Sequence, residues 1–172
     1  DGTVSVFNTS TLSELGRIVV GQNPARCALS PDSQTLFVTN FTDGTISVIS
    51  TETLAVTDTV TGLEGPTAMA FLPSGSQFFV TNRNNNTVQD VVLDPISGLW
   101  ELGDIRIATP DTPAGVAVTS DGARLAITSE GAGKLSVVSL GNPQPTILEF
   151  ARDVDDEPAD EILTADVRRK LW

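Results

Sequence analysis

The chain has 172 residues, with 22 acidic against 10 basic side chains, a formal charge of −12, no histidine and one cysteine. A field of that sign repels polyanions, which argues against a nucleic-acid backbone or an anionic bilayer as partner. Without histidine the commonest general base, the usual zinc and copper ligand and the usual haem ligand are missing, and one cysteine allows neither an intrachain disulfide nor a CxxC or CxxCH site.

In chain order the predicted elements are short β-strands bounded by Gly, Asn, Asp and Pro. Thr3 to Asn8 and Arg17 to Val20 come first. A phrase then runs from Pro24 to Asn40, Pro-Ala-Arg-Cys-Ala-Leu-Ser-Pro-Asp-Ser-Gln-Thr-Leu-Phe-Val-Thr-Asn. It returns as Pro66 to Asn82 and, more loosely, as Pro113 to Ser129. Repetition at a spacing in the forties, cut by turn residues, is the signature of β-propeller blades. The first strand of each copy, A, covers Ala25 to Ser30, Thr67 to Leu72 and Ala114 to Thr119. Each is opened by a proline whose missing N–H falls outside the ladder. In each, a small residue lies between two larger apolar ones, as Ala28 lies between Cys27 and Leu29, and period two separates them onto opposite faces. Such strands are expected to be buried on both faces between neighbouring blades. Cys27, where the other copies have Met69 and Val116, is expected to be a buried structural thiol.

Turns at Pro31-Asp-Ser, Pro73-Ser-Gly and Ser120-Asp-Gly lead into B strands at Thr35 to Thr39, Gln77 to Thr81 and Arg124 to Thr128. The C strands follow at Thr45 to Ser50, Thr87 to Leu93 and Lys134 to Leu140, matched at the start by Thr3 to Asn8. The D strands are Arg17 to Val20, Val56 to Thr61, Asp104 to Ala108 and Thr146 to Phe150. The order is therefore C-D, then A-B-C-D three times. Closing a ring takes at least about four blades, so this all-β chain is expected to be a β-propeller fragment of about three and a half four-stranded blades, from the C-terminal half of a seven-bladed ring. Its partners are then the remaining blades, from the parent chain or another chain. Residues 1–150 form the partial propeller and 151–161 an acidic linker; Glu149 to Trp172 holds eight acids against four bases. Residues 162–172 read as the start of a short helix leading into a following domain, capped by Thr164, with Leu163, Val167 and Leu171 on one face.

Phe37-Val-Thr-Asn40 and Phe79-Val-Thr-Asn82, with Ser30-Pro-Asp-Ser upstream and Gly44-Thr-Ile-Ser-Val-Ile downstream, resemble the YVTN family of β-propeller repeats over about Asp1 to Phe150. Phe replaces the family's Tyr, and the third copy has drifted to Ala126-Ile-Thr-Ser129. The resemblance implies a secreted, periplasmic or cell-surface protein in which the propeller is a non-enzymatic binding or scaffold module with a protein partner. Two alternatives stay open. One is the propeller part of an electron-transfer protein fused to or docking a c-type cytochrome domain, whose haem would lie outside this chain. The other is a lactonase-type enzyme with its site in further blades, suggested by the long stretch Asp94-Pro-Ile-Ser-Gly-Leu-Trp-Glu-Leu-Gly103.

Propellers usually bind ligands where the D-A and B-C loops crowd the channel mouth. Here those loops offer Gln22-Asn23, Thr42-Asp43, Glu64, Arg83 to Asn86, Asp111 and Glu130. The candidate surface is Arg26, Asp43, Glu64, Arg83, Asn85 and Asp111, a polar rim without a convergent catalytic set. Arg26, at the start of an inner strand, has a guanidinium fork suited to a carboxylate or phosphate; a paired or solvated arginine is the plainer alternative. Arg83 reads as surface charge. The acids between Asp153 and Glu161 fail the spacing of a calcium loop, since Pro158 takes the place of its Gly and Thr164 that of its bidentate Glu. Gly131-Ala-Gly133 lacks the strand-to-helix context of a phosphate loop. No cofactor or metal site is expected within the chain, and the sequons at Asn8, Asn40 and Asn85 fall where turns favour Asn.

Overall fold

The computed structural model describes residues 1–141 and 145–150. The acidic linker expected at 151–161 and the helix expected at 162–172 lie outside the described residues. A first, two-stranded unit pairs β1 (Thr3–Phe7) with β2 (Glu14–Val19). Three four-stranded sheets follow, each in sequential order. The second blade is β3 (Pro24–Leu29), β4 (Thr35–Asn40), β5 (Thr45–Ser50) and β6 (Val56–Val60). The third is β7 (Pro66–Phe71), β8 (Gln77–Asn82), β9 (Thr87–Leu93) and β10 (Trp100–Ala108), and the fourth is β11 (Pro113–Val118), β12 (Arg124–Ser129), β13 (Lys134–Ser139) and β14 (Thr146–Phe150). All pairings are antiparallel, so the expected C-D, A-B-C-D order is the order of the structure: an open, partial propeller.

Alternation sends the two faces of each sheet into different seams. In the second blade Leu36 registers with Ile49 and Val38 with Ser47, facing the first blade, where Val38 and Ile49 join Ile18, Val4 and Val6. Phe37 registers with Val48 and Thr39 with Ile46 on the opposite face, toward the third blade. There Phe37, Val48, Phe78, Val80 and Val91 form a buried cluster. The third blade in turn sends Phe79 and Val88 against Leu125, Ile127 and Val138 of the fourth.

The seam between the second and third blades is aromatic. The Phe37 ring lies 5.1 Å from those of Phe71 and Phe78 and 4.9 Å from Trp100, at interplanar angles of 62°, 63° and 85°. Edge-to-face contact places positive ring edges on negative ring faces and adds to the burial term. Trp100 reaches this seam because β9 and β10 are longer than their counterparts, and its backbone N–H donates to Asp58 Oδ2 of the second blade at 2.8 Å. The length of the Asp94–Gly103 segment thus has a packing role.

β10 begins at Trp100, earlier than the expected D strand at Asp104, and reaches Ala108 through a bulge: Leu102 registers with Val91 but Arg106 with Gln89. Asp90, 2% exposed, fills the break. Its Oδ1 accepts from Ile105 N at 2.9 Å and Gln89 Nε2 at 3.2 Å, and its Oδ2 from Gln77 Nε2 at 2.9 Å. Gly103 is required here, since a Cβ would collide with the Asp90 carboxylate that these hydrogen bonds hold in place. Burial pushes the Asp90 carboxyl above its ordinary pKa, while these three hydrogen bonds pull it back.

The inner strands depart from expectation at the first seam. Cys27 registers with Val38 and Leu29 with Leu36, on the face turned toward the first blade. That blade supplies only β1 and β2, the counterparts of β5 and β6, so the inner strand β3 has no counterpart against it among the described residues. Cys27 is therefore exposed, not the buried thiol expected, and Leu29 is 51% exposed. The equivalent Met69 and Phe71 of β7 do pack into the aromatic seam.

Candidate functional site

One end of the arc is built from two kinds of loop. The loop entering each blade ends in a left-handed residue before proline: Asn23 (φ 55°), Gly65 (φ 65°) and Thr112 (φ 51°). Glycine adopts this region freely, but a β-branched threonine does so only when its surroundings hold it there. Thr112 is held by its N–H to Asn86 Oδ1 at 2.9 Å and by Glu130 N donating to its carbonyl at 3.0 Å. The same bond recurs in the other blades, from Phe41 N to Asn23 O and from Arg83 N to Gly65 O, each at 3.0 Å. Backbone bonds thus clamp each B-C loop onto the D-A loop that precedes it.

This frame puts equivalent residues of three blades around one opening. Phe41, Arg83 and Glu130 follow the ends of β4, β8 and β12, and Ala25, Thr67 and Ala114 are the second residues of β3, β7 and β11. With Asn23 and Arg26 they line a cavity of about 320 Å³ at the axial mouth. Every lining residue belongs to the second, third or fourth blade, so its walls do not depend on the β1–β2 unit.

Electrostatically the rim is lopsided. Arg83 Nη2 meets Glu130 Oε2 at 2.9 Å across the third and fourth blades, both side chains partly exposed. Arg26 makes no ion pair among the described residues; Nη1 donates to Ala25 O at 3.3 Å. Its backbone is fixed, since Arg26 N donates to Thr39 Oγ1 at 3.1 Å and that hydroxyl donates to Thr67 O of the next blade at 3.0 Å. Arg26 shares its sheet face with Ala28 and Phe37, so it projects into the arc and not toward the open face marked by Cys27.

Of the six residues singled out in sequence, Arg26 and Arg83 line this cavity. The other four lie outside its walls. Asp43 Oδ2 accepts from Gln22 N at 2.8 Å and braces the loop. Glu64 points into solvent, while its N–H donates to Asn82 Oδ1 at 3.2 Å. Asn85, with its amide oxygen toward Arg106 Nη2 at 2.7 Å and its nitrogen toward Thr87 Oγ1 at 2.7 Å, is tied down locally. Asp111 is exposed beside Gly131. Phe41 and Thr67 were missed, although their places in the repeat, matching Arg83 and Ala25, could have marked them.

At the opposite end a second cavity of about 440 Å³ opens between the second and third blades, beside Asp32, Asp58, Leu99 and Trp100. Both its carboxylates have structural work. Asp58 holds Trp100 N, and Asp32 Oδ1 accepts from Ser30 Oγ at 2.5 Å and Gln34 N at 3.0 Å in the A-B turn. Those turn bonds lower the Asp32 pKa, Ser30 most. Asp121 repeats the arrangement with Thr119 and Ala123. Among the described residues no three His, Cys, Asp or Glu side chains converge as metal ligands, and no helix is long and apolar enough to cross a membrane.

Comparison with known structures places this architecture among propellers. A protein from Lactobacillus plantarum matches with TM-score 0.72 at 18% identity, over 88% of this chain and 53% of its own. A candidate 6-phosphogluconolactonase from Bacteroides uniformis gives 0.69 at 16% identity, over 88% and 50%. Hydrazine synthase of Kuenenia stuttgartiensis gives 0.64 at 23% identity, over 77% and 38%. The chain thus spans between about a third and a half of the length of these structures, and at such identities the likeness is one of fold. A comparison with curated proteins finds no match. The model of one family matches residues 1–168, almost the whole chain, and with the repeated strands and the meander topology it establishes that the chain belongs to the YNCE-like β-propeller family.

Proposed function

We propose that this propeller is a non-enzymatic recognition module that works outside the cytoplasm and meets its partner with the rim of the axial mouth. One observation carries the reading: the frame of the rim is constant while its side chains are not. The bonds from residues 41, 83 and 130 to the preceding loop are the same in three blades, yet those positions hold Phe, Arg and Glu. A fixed backbone that displays unlike side chains is how rigid scaffolds build specificity on loops. An extracytoplasmic setting is supported by the YVTN resemblance.

The test uses the full protein with Phe41, Arg83 and Glu130 all replaced by alanine, beside a control carrying Ser74→Ala and Ser76→Ala at the opposite end. Capture from the extracytoplasmic fraction of the native host should recover a partner with the wild type and the control but not with the rim variant. Equal recovery by all three would overturn the rim as the recognition surface. Substrate-dependent turnover abolished by the rim variant would overturn the non-enzymatic assignment.

A further inference from the structure

We infer that the axial mouth holds a small organic carboxylate, with the Arg26 guanidinium as its anchor and the Phe41 ring against its apolar body. The inference rests on the rim being the recognition surface and names what that surface takes. Its first support is a departure from the repeat: where Arg26 stands in β3, β7 has Ala68 and β11 has Gly115. Of these three equivalent positions only Arg26 lines the cavity, so the second blade places there a long cation that the third and fourth do not. The second is charge. Arg83 and Glu130 neutralise one another, so Arg26 is the uncompensated charge of the cavity, in a chain whose net charge is −12. One unmatched positive charge favours a singly charged oxyanion, and the guanidinium fork matches a carboxylate with two parallel hydrogen bonds. Third, Phe41, Ala25 and Ala114 give the cavity an apolar side, as small-molecule sites generally have.

Glu130 makes the inference testable in both directions. It occupies the second guanidinium, so Glu130→Gln should free Arg83 and turn a one-cation site into a two-cation site. Isothermal titration of the full protein would use benzoate as probe, with benzamidine as its cationic counterpart and phenyl phosphate as the doubly charged one. Wild type should bind benzoate in preference to both. Arg26→Ala should weaken benzoate at least tenfold, Arg26→Lys should restore part of the loss, and Glu130→Gln should tighten benzoate several-fold. Circular dichroism confirms that each variant is folded. Benzamidine binding as well as benzoate, phenyl phosphate binding more tightly, no benzoate binding, or an Arg26→Ala variant that binds like wild type would each overturn the assignment. Its failure is separable from that of the recognition reading: if benzoate fails while the rim variant still loses its protein partner, only the carboxylate assignment falls.

Discussion

Replacing Phe37 tests the seam that joins the second and third blades. The side chain is 0% exposed, and its ring lies within 5.1 Å of Phe71, Phe78 and Trp100. Truncating a buried phenylalanine to alanine costs about 3–5 kcal/mol, a large part of the roughly 5–15 kcal/mol that holds a domain together. Phe37→Leu keeps most of the apolar volume and loses mainly the ring-edge contacts, so about 1–2 kcal/mol is expected. Leu29→Ala is the control, because Leu29 is 51% exposed on the face toward the first blade; its cost should be about 1 kcal/mol or less. The assay is urea unfolding followed by tryptophan emission. The chain's two tryptophans are Trp100 and Trp172, so a Trp172→Phe background isolates the residue 4.9 Å from the ring being removed. Stacked repeats couple mainly through their shared faces, so Phe37→Ala should also broaden the transition. A Phe37→Ala cost no larger than that of Leu29→Ala would refute the placement of β4 at this seam.

Asp90 should tolerate asparagine better than leucine. Asn can still accept from Ile105 N once the Gln77 amide reverses, whereas Leu strands that N–H and the Gln77 amide and leaves Gln89 Nε2 its bond to Gly103 O, at about 1–3 kcal/mol per buried unmatched group. Because the folded carboxyl has a raised pKa, its contribution is fully present below the unfolded value and lost as pH rises through the folded one. Asp90→Asn should therefore gain on the wild type between acid and neutral pH in urea titrations; a loss over that interval would contradict the assignment. Asp32 and Asp121 have the opposite sign, since their lowered pKa values give stability that is present above the ordinary carboxyl range and lost as pH falls through the folded values. Replacing both with Ala should flatten the acid limb of stability, and an unchanged limb would remove the A-B turns as its source. In a chain of these 172 residues alone, exposed Cys27 should react with a maleimide without denaturant, and a thiol of that chain that reacts only on unfolding would contradict the open face.

Strand existence and order were legible because the repeat, the prolines and the turn residues mark every blade in the same way. The C strands Thr45–Ser50 and Thr87–Leu93 appear with the bounds expected from alternation alone. β10 was cut short because a bulge breaks period two, and the residue that closes it lies in another strand. Asp90 stands where the other blades have Val48 and Val137, a departure visible in the repeat but without meaning until Gly103 is seen opposite. The misplacement of Cys27 has a different origin. Burial of an inner strand is a property of the neighbouring blade, and local pattern cannot tell a strand that has a neighbour from one that does not.

The same comparison of copies separates frame from function at the rim. Positions whose residue type serves the fold converge: each blade opens on Pro24, Pro66 or Pro113 after a left-handed residue, and β4 and β8 both end in Val-Thr-Asn. Positions released from that duty diverge, and they do so together at the axial mouth, where Phe41, Arg83 and Glu130 meet and Arg26 replaces the small residue of its siblings. The bracing of the Arg26 backbone by Thr39 belongs to the frame, since Thr81 holds Ala68 N in the same way, and only the side chain carried on that frame differs. Divergence on a constant and braced frame is therefore the physical ground for placing recognition at this end of the propeller. At the opposite end the carboxylates of the cavity are already engaged in holding the A-B turn and Trp100.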